Sequence, residues 1–156
     1  MDSSRRKVLR GGGGIAVMAL AMAAGLVKPG AARAMAWNKA AFDTKSFADA
    51  VAALGGPPAV ESKDVVLDGP DIAENGAVVP FTITSRLRDT ESIAVLIEKN
   101  PNTLAANFQI PAGTDPFVNT RVKLAETSKV YALVNAEGKY YYAAKEVKVT
   151  IGGCGG

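Results

Sequence analysis

The stretch Val79-Pro80-Phe81-Thr82-Ile83-Thr84 alternates apolar and polar side chains with a period of two. Its apolar residues share one face and its two threonines share the other, as in a β-strand with one face against a core. Pro80 cannot donate a ladder hydrogen bond, so we expect a sheet edge or a bulge at that position. This segment therefore predicts a strand of an antiparallel sheet.

Similar segments follow along the chain. Ser92 to Glu98 is an almost unbroken apolar run between polar turns, which is typical of a strand buried on both faces. Apolar and polar residues also alternate over 104–110, 118–124, 129–134 and 139–151. The last two segments predict a hairpin around residues 135–138, with Gly138 in the left-handed position. Six or seven strands at a spacing of about 8–12 residues predict an all-β, immunoglobulin-like antiparallel sandwich over residues 35–151.

Thr44 to Leu54 predicts the one helix, at about residues 46–54. Ser46, with Asp49 three residues later, resembles a capping box. The helical period places four apolar residues on one face, namely Phe47, Ala50, Val51 and Leu54. We expect this short helix to cover one end of the domain, with a docking helix as the alternative.

The first 34 residues have the order of a secretory signal peptide: a basic start, an apolar run and a small-residue cleavage site after Ala34 or Ala36. Arg5 and Arg6 resemble a twin-arginine export signal, which predicts a periplasmic protein exported in the folded state. A retained amphipathic anchor is the alternative. The apolar run is short and rich in Gly and Ala, so we expect no membrane segment in the mature form.

Removal of residues 1–34 changes the sign of the net charge. The chain has 18 basic and 15 acidic side chains, of which the first 34 residues contain six and one. The remainder has 12 basic and 14 acidic side chains, a net charge of −2. Nucleic-acid binding requires a basic patch, so we expect no nucleic-acid partner.

The composition restricts the available chemistry. The chain has no histidine and a single cysteine, which excludes the usual catalytic triads, histidine-ligated metals and multi-cysteine sites. Asp68, Asp71 and Glu74 form the densest acidic group, and a solvated turn is favoured there over a cation site. We therefore expect no metal, no bound cofactor and no catalytic centre.

The single cysteine lies in the segment Gly152-Gly153-Cys154-Gly155-Gly156, the last five residues of the sequence. Free cysteine is usually buried, but no flanking apolar residue draws this one into a core. The four glycines, Gly152, Gly153, Gly155 and Gly156, predict a thin, flexible arm. A covalent carrier, an interchain disulfide staple and a tail thiol without a role all remain possible at this point, and the residues favour the carrier.

Three motifs, together with the export signal, carry a family resemblance: Lys148–Gly156, Glu98–Asn102 and Val118–Arg121. The chain resembles the SoxY family, the sulfur-carrying subunits of the SoxYZ complex in periplasmic thiosulfate oxidation. The resemblance covers essentially the whole mature chain, and its terminal motif is the most specific part.

The resemblance implies partners and a cycle. It implies a heterodimer or heterotetramer with a SoxZ-like subunit that is exported bound to this chain. SoxAX would join thiosulfate oxidatively to Cys154, and SoxB would then release sulfate and leave a persulfide. SoxCD, where present, would oxidise the outer sulfur before a second hydrolysis. The only bound group expected is the sulfur species on Cys154.

Overall fold

Two short helices and nine strands occupy residues 38–150, the part of the chain that this computed structural model describes. These residues lie within one compact unit. The helices are α1 (Lys39–Phe42) and α2 (Phe47–Ala53). The strands are β1 (Val60–Glu61), β2 (Val65–Asp68), β3 (Ile72–Ala73), β4 (Val79–Ser85), β5 (Thr90–Ile97), β6 (Leu104–Gln109), β7 (Phe117–Val122), β8 (Ser128–Ala136) and β9 (Lys139–Val149).

The strands form two sheets. The larger sheet has the order β1-β9-β8-β5-β6, with β3 also pairing with β9, and the smaller sheet has the order β2-β4-β7. Apolar side chains from both sheets form a common core, which confirms the predicted all-β sandwich. One feature was not predicted: β1 and β3 run parallel to β9, whereas the other pairs are antiparallel.

Strand β5 is buried on both faces, as its sequence predicted. Ile93, Val95 and Ile97 pack into the core between the sheets. Ala94 and Leu96 point the other way, into a second cluster with the helices. The larger sheet is therefore covered by the smaller sheet on one face and by the helices on the other. Full burial of each large aliphatic side chain stabilises the fold by about 1.5–3 kcal/mol.

Helix α2 confirms the predicted cap and position. The Ser46 hydroxyl accepts a hydrogen bond from the Asp49 amide at 3.1 Å, and the helix ends before Gly55, which has a φ of +88°. The prediction of one helix was incomplete, because α1 precedes α2. Asn38 caps α1, but a four-residue helix is too short to show an apolar period.

The β8–β9 hairpin is tighter than predicted. Ala136 pairs with Lys139, so the turn contains only Glu137 and Gly138. Both have positive φ, +52° and +71°. This is the combination that matches the twist of paired strands in a two-residue hairpin.

Pro80 lies in a central strand, β4, but at a local edge. Pairing of β2 with β4 ends at Thr82, so Pro80 has a strand partner only on the β7 side, where it faces Arg121. Pro80 itself therefore lies at a sheet edge, as predicted, although the strand that contains it pairs on both sides. Among residues 38–150, no helix is long and apolar enough to cross a membrane.

Candidate functional site

The residues predicted to carry function lie outside the described part of the chain. These are Cys154, the arm glycines at 152, 153, 155 and 156, and the export arginines Arg5 and Arg6. The structure does describe the strand that leads to Cys154. We call the last three described residues before Cys154, Lys148 to Thr150, the arm base.

Backbone hydrogen bonds hold the arm base to the edge of the larger sheet. Strand β8 pairs with β9 as far as Val147, and β3 pairs in parallel with Lys148 and Val149. The Lys148 amide donates to the Asp71 carbonyl at 2.9 Å, and the Thr150 amide donates to the Ala73 carbonyl at 3.1 Å. The ladder therefore continues to Thr150, four residues before the cysteine.

Side chains add further bonds around the arm base. The Val149 amide donates to the Thr127 hydroxyl at 2.9 Å, and the Thr150 hydroxyl donates to the Glu74 carbonyl at 3.0 Å. Lys145 forms an ion pair with Asp71 at 2.9 Å and also donates to the Gly69 carbonyl. The segment containing β3 is thus tied to β9 by both backbone and side-chain contacts.

The Glu98–Asn102 motif organises the loops next to the arm base. The Asn100 amide group donates to the Lys123 carbonyl at 2.7 Å and accepts from the Ala125 amide at 3.0 Å. The Ser128 hydroxyl, at the start of β8, accepts from the Lys99 amide at 3.1 Å. Asn100 therefore fixes the loop that leads to Thr127.

The Val118–Arg121 motif lies elsewhere, on β7 of the smaller sheet. Its Asn119 donates to the Thr82 hydroxyl at 3.0 Å on an exposed face. The Glu98–Asn102 motif is linked to the arm base through the loop that leads to Thr127, whereas Val118–Arg121 lies in the smaller sheet.

An apolar groove borders the arm base. It has a volume of about 310 Å³ and lies between Pro70 and Pro80. Ile72 and Val78 line it and are 57% and 60% exposed. Asp71 and Glu74 are exposed, as expected of a solvated turn, and the apolar groove lies directly beside them.

Two tyrosines in the described part of the chain have a raised pKa. Burial raises the pKa of Tyr131, and the charges of Glu98 and Tyr142 raise it further. Burial, helped by Glu91, raises the pKa of Tyr140, whose hydroxyl donates to the Leu54 carbonyl at 3.0 Å. Both lie between helices and sheet, so these shifts reflect packing. Within residues 38–150, no three potential metal ligands come together, and Asp71 is engaged by Lys145.

Sequence reasoning missed the support of the arm base. Strand β3 has two residues and shows no alternation, and the partners of Asn100 lie 23 and 25 residues away. The sequence signals were the Asn-Pro-Asn turn and the family motif Glu98–Asn102 that contains it, which mark a loop but do not identify its bonds.

Comparisons with known proteins agree with the motifs. The family model described as "Sulfur oxidation protein SoxY" matches residues 50–154. The solved structure of the sulfur carrier protein SoxY from Chlorobium limicola f thiosulfatophilum is 36% identical and covers 65% of this chain and 92% of its own, with a TM-score of 0.59. A lytic polysaccharide monooxygenase from Jonesia denitrificans is 13% identical over 60% of this chain and 58% of its own, with a TM-score of 0.37, too low to support an argument. The comparison with curated proteins gives no match. The family match covers well over half of the chain, and the chain therefore belongs to the SoxY family of sulfur oxidation proteins.

Proposed function

We propose that this chain is a periplasmic carrier that holds sulfur intermediates covalently on Cys154 during the oxidation of thiosulfate to sulfate. One observation carries the proposal. The SoxY match extends to residue 154, and that residue is the single cysteine of the chain. The related Chlorobium protein is itself a sulfur carrier. The export signal predicted around Arg5 and Arg6 supports a location outside the reducing cytoplasm, where such adducts persist.

The carrier supplies a sulfur nucleophile, and partner enzymes supply the rest of the chemistry. Joining thiosulfate to the thiol forms a sulfur–sulfur bond and releases two electrons and a proton, which SoxAX would accept. Hydrolysis by SoxB would then add water, release sulfate and leave a persulfide on Cys154. SoxCD, where present, would oxidise that outer sulfur to a sulfonate, with three oxygen atoms taken from water and six electrons passed to SoxCD. A second hydrolysis would then release sulfate and regenerate the thiol of Cys154. In this proposal the chain is no enzyme and carries no cofactor besides the sulfur species.

The arm base supports this role because it fixes the point from which the reactive segment starts. Cys154 is the fourth residue after Thr150, so at about 3.3–3.6 Å per residue its Cα atom lies at most about 14 Å from the described end. Every enzyme that acts on Cys154 must therefore bring its active site to this edge of the larger sheet. Neighbouring glycines carry no side chains, which suits entry into a narrow active-site channel.

The direct test is Cys154→Ser in a system reconstituted with SoxAX, SoxB and the SoxZ-like subunit. We expect complete loss of thiosulfate-dependent turnover, because serine cannot form the sulfur–sulfur bond. Unfolding and binding of the SoxZ-like subunit should be unchanged. Alkylation of wild-type protein with iodoacetamide is the matched control and should give the same loss, with no further effect on the serine variant. Turnover by Cys154→Ser, or loss of its fold, would show that Cys154 does not have this role.

A further inference from the structure

Strand β6 leaves one edge of the larger sheet open. It ends the strand order and pairs only with β5 among the described residues. The Ile110 amide donates to the Glu91 carbonyl across β5 and β6 at 2.8 Å. Because antiparallel hydrogen bonding alternates, the N–H and C=O groups of Asn107 and Gln109 point away from β5. Such unpaired groups form a template for another strand.

No charged side chain protects this edge. Residues 100–114, which include all of β6, contain no acidic or basic residue. The other outer strands of the described sheets each contain or adjoin a charged residue: Glu61 for β1, Asp68 for β2, Asp71 for β3 and Arg121 for β7. Since natural proteins use charges to block edge pairing, β6 is the described edge that remains suited to a further strand.

The two ends of this edge carry opposite charges. Before β6, the Lys45 ammonium donates to the Pro101 carbonyl and to the Asn102 side-chain oxygen, so a cation lies at the start of the strand. A cavity of about 470 Å³ adjoins the other end of β6, and Asp89 and Glu91 line it. Neither the ammonium nor the two carboxylates form an ion pair with a described residue. Both charges are therefore available to a partner that lies along β6.

Asn107, in the middle of the edge, has a second unpaired group. Its side-chain oxygen is buried and accepts no hydrogen bond from the described residues. A buried polar atom without a partner costs about 1–3 kcal/mol, so such atoms usually bond to something. A side-chain amide is both donor and acceptor, so two asparagines that face each other can satisfy one another.

We propose that β6 pairs with the β6 edge of a second copy of this chain, in an antiparallel dimer with two-fold symmetry. Such an interface uses the same patch twice, so the patch must complement itself. With Asn107 on the axis, the two Asn107 residues lie directly opposite each other. Asn102 of one copy then lies opposite Ala112 of the other, and Ala112 lines the acidic cavity.

The charges select a second copy as the occupant. Antiparallel pairing places the start of each strand beside the end of the other. Each Lys45, held at Asn102, is therefore brought to the cavity that contains Asp89 and Glu91 of the other copy. The same contact forms twice, once at each end of the paired strands. This inference goes beyond the proposed function and does not depend on it.

The pairing keeps the two carrier arms apart. Strand register places Tyr142 of β9 level with Asn107 of β6. Thr150 lies further along β9, by about 26 Å at about 3.3 Å per residue. The two-fold axis points the two arm bases in opposite directions, so they lie roughly 50 Å apart along the strands. Arms that reach about 14 Å each cannot meet, so this dimer forms without a disulfide between the two Cys154 residues.

The first test removes the outward N–H group on the axis. Asn107→Pro deletes a donor that the β5–β6 pairing does not use, and edge strands accept proline at such positions. Asn119→Pro is the matched control on β7. Because the Ser85 amide donates to the Pro116 carbonyl, the same alternation points the Asn119 N–H outward from an edge that the proposal does not use.

The second test reverses the charges at the ends of the paired strands. Lys45→Glu places a carboxylate against the acidic cavity of the other copy, and Glu91→Lys places an ammonium against Lys45. The double variant Lys45→Glu/Glu91→Lys has opposite charges in both contacts again. Rescue in the double variant distinguishes a contact between copies from a loss of folding.

Dimerisation is measured by sedimentation velocity of the mature protein over a series of concentrations, with a thiol reductant present. We expect a reversible dimer in the wild type, in Cys154→Ser and in Asn119→Pro. Asn107→Pro and each single charge reversal should raise the dissociation constant roughly tenfold or more, a change of about 1.4 kcal/mol. The double variant should dimerise about as tightly as the wild type. If circular dichroism shows that Asn107→Pro does not fold, the charge variants decide.

Three results would overturn the interface. They are a wild-type protein that stays monomeric at every concentration, a dimer that the reductant or Cys154→Ser abolishes, and single charge reversals that dimerise as the wild type does. Loss of binding to the SoxZ-like subunit in Asn107→Pro, without self-association of the wild type, would assign the edge to that subunit instead.

Discussion

Asn100 shows how one side chain can support a site that it does not reach. Its amide group bonds to Lys123 and Ala125, and the loop that it holds leads to Thr127, whose hydroxyl accepts from Val149. A cap such as Ser46 was predictable, because its partner lies three residues away. The partners of Asn100 are distant in sequence, so its role appears only once the strands have paired.

We expect Asn100→Ala to lower the free energy of unfolding by about 1–3 kcal/mol, since it removes two hydrogen bonds worth about 0.5–1.5 kcal/mol each. Asn119→Ala is the matched control. It removes one exposed side-chain bond and should change stability by less than about 0.5 kcal/mol. Urea unfolding followed by far-UV circular dichroism measures both. Equal losses in the two variants would contradict the supporting role of Asn100.

At the scale of elements, the helices explain the double burial of β5. The sequence predicted that β5 is buried on both faces but did not show that α2 covers one of them. Phe47 of α2 stacks on Tyr131 of β8 with ring centroids 4.4 Å apart and meets Tyr142 of β9 edge-on at 5.2 Å. The aromatic contacts join residues more than 80 positions apart, and nothing local in the sequence pairs them.

The tyrosines in this layer predict a loss of stability at high pH. The raised pKa values of Tyr131 and Tyr140 mean that the folded state favours the neutral phenol. Above the ordinary value of about 10, the unfolded chain ionises first, so the free energy of unfolding falls as the pH rises. Urea unfolding between pH 8 and pH 11 should show a shallower fall for Tyr131→Phe and Tyr140→Phe than for the wild type. Identical slopes in all three proteins would show that these phenols do not contribute.

At the scale of the whole molecule, the alternating segments predicted most of the sandwich, because each strand carries its own pattern of burial. They did not predict the two-residue strands β1 and β3, whose parallel pairing with β9 depends on tertiary contacts. The sequence predicted Cys154 as the carrier residue, by exclusion and by its glycine neighbours. It did not show how the loops anchor β9, nor which edge of the sheet stays open.

The central claim concerns Cys154, and one measurement tests it most directly. Protein is taken from cells growing on thiosulfate, and the intact mass and the mass of the C-terminal peptide are determined with and without a thiol reductant. The account predicts adducts of sulfur or sulfonated sulfur on the peptide that contains Cys154, which disappear on reduction. A cysteine found only as the free thiol, or only in a dimer-sized disulfide species, would contradict it.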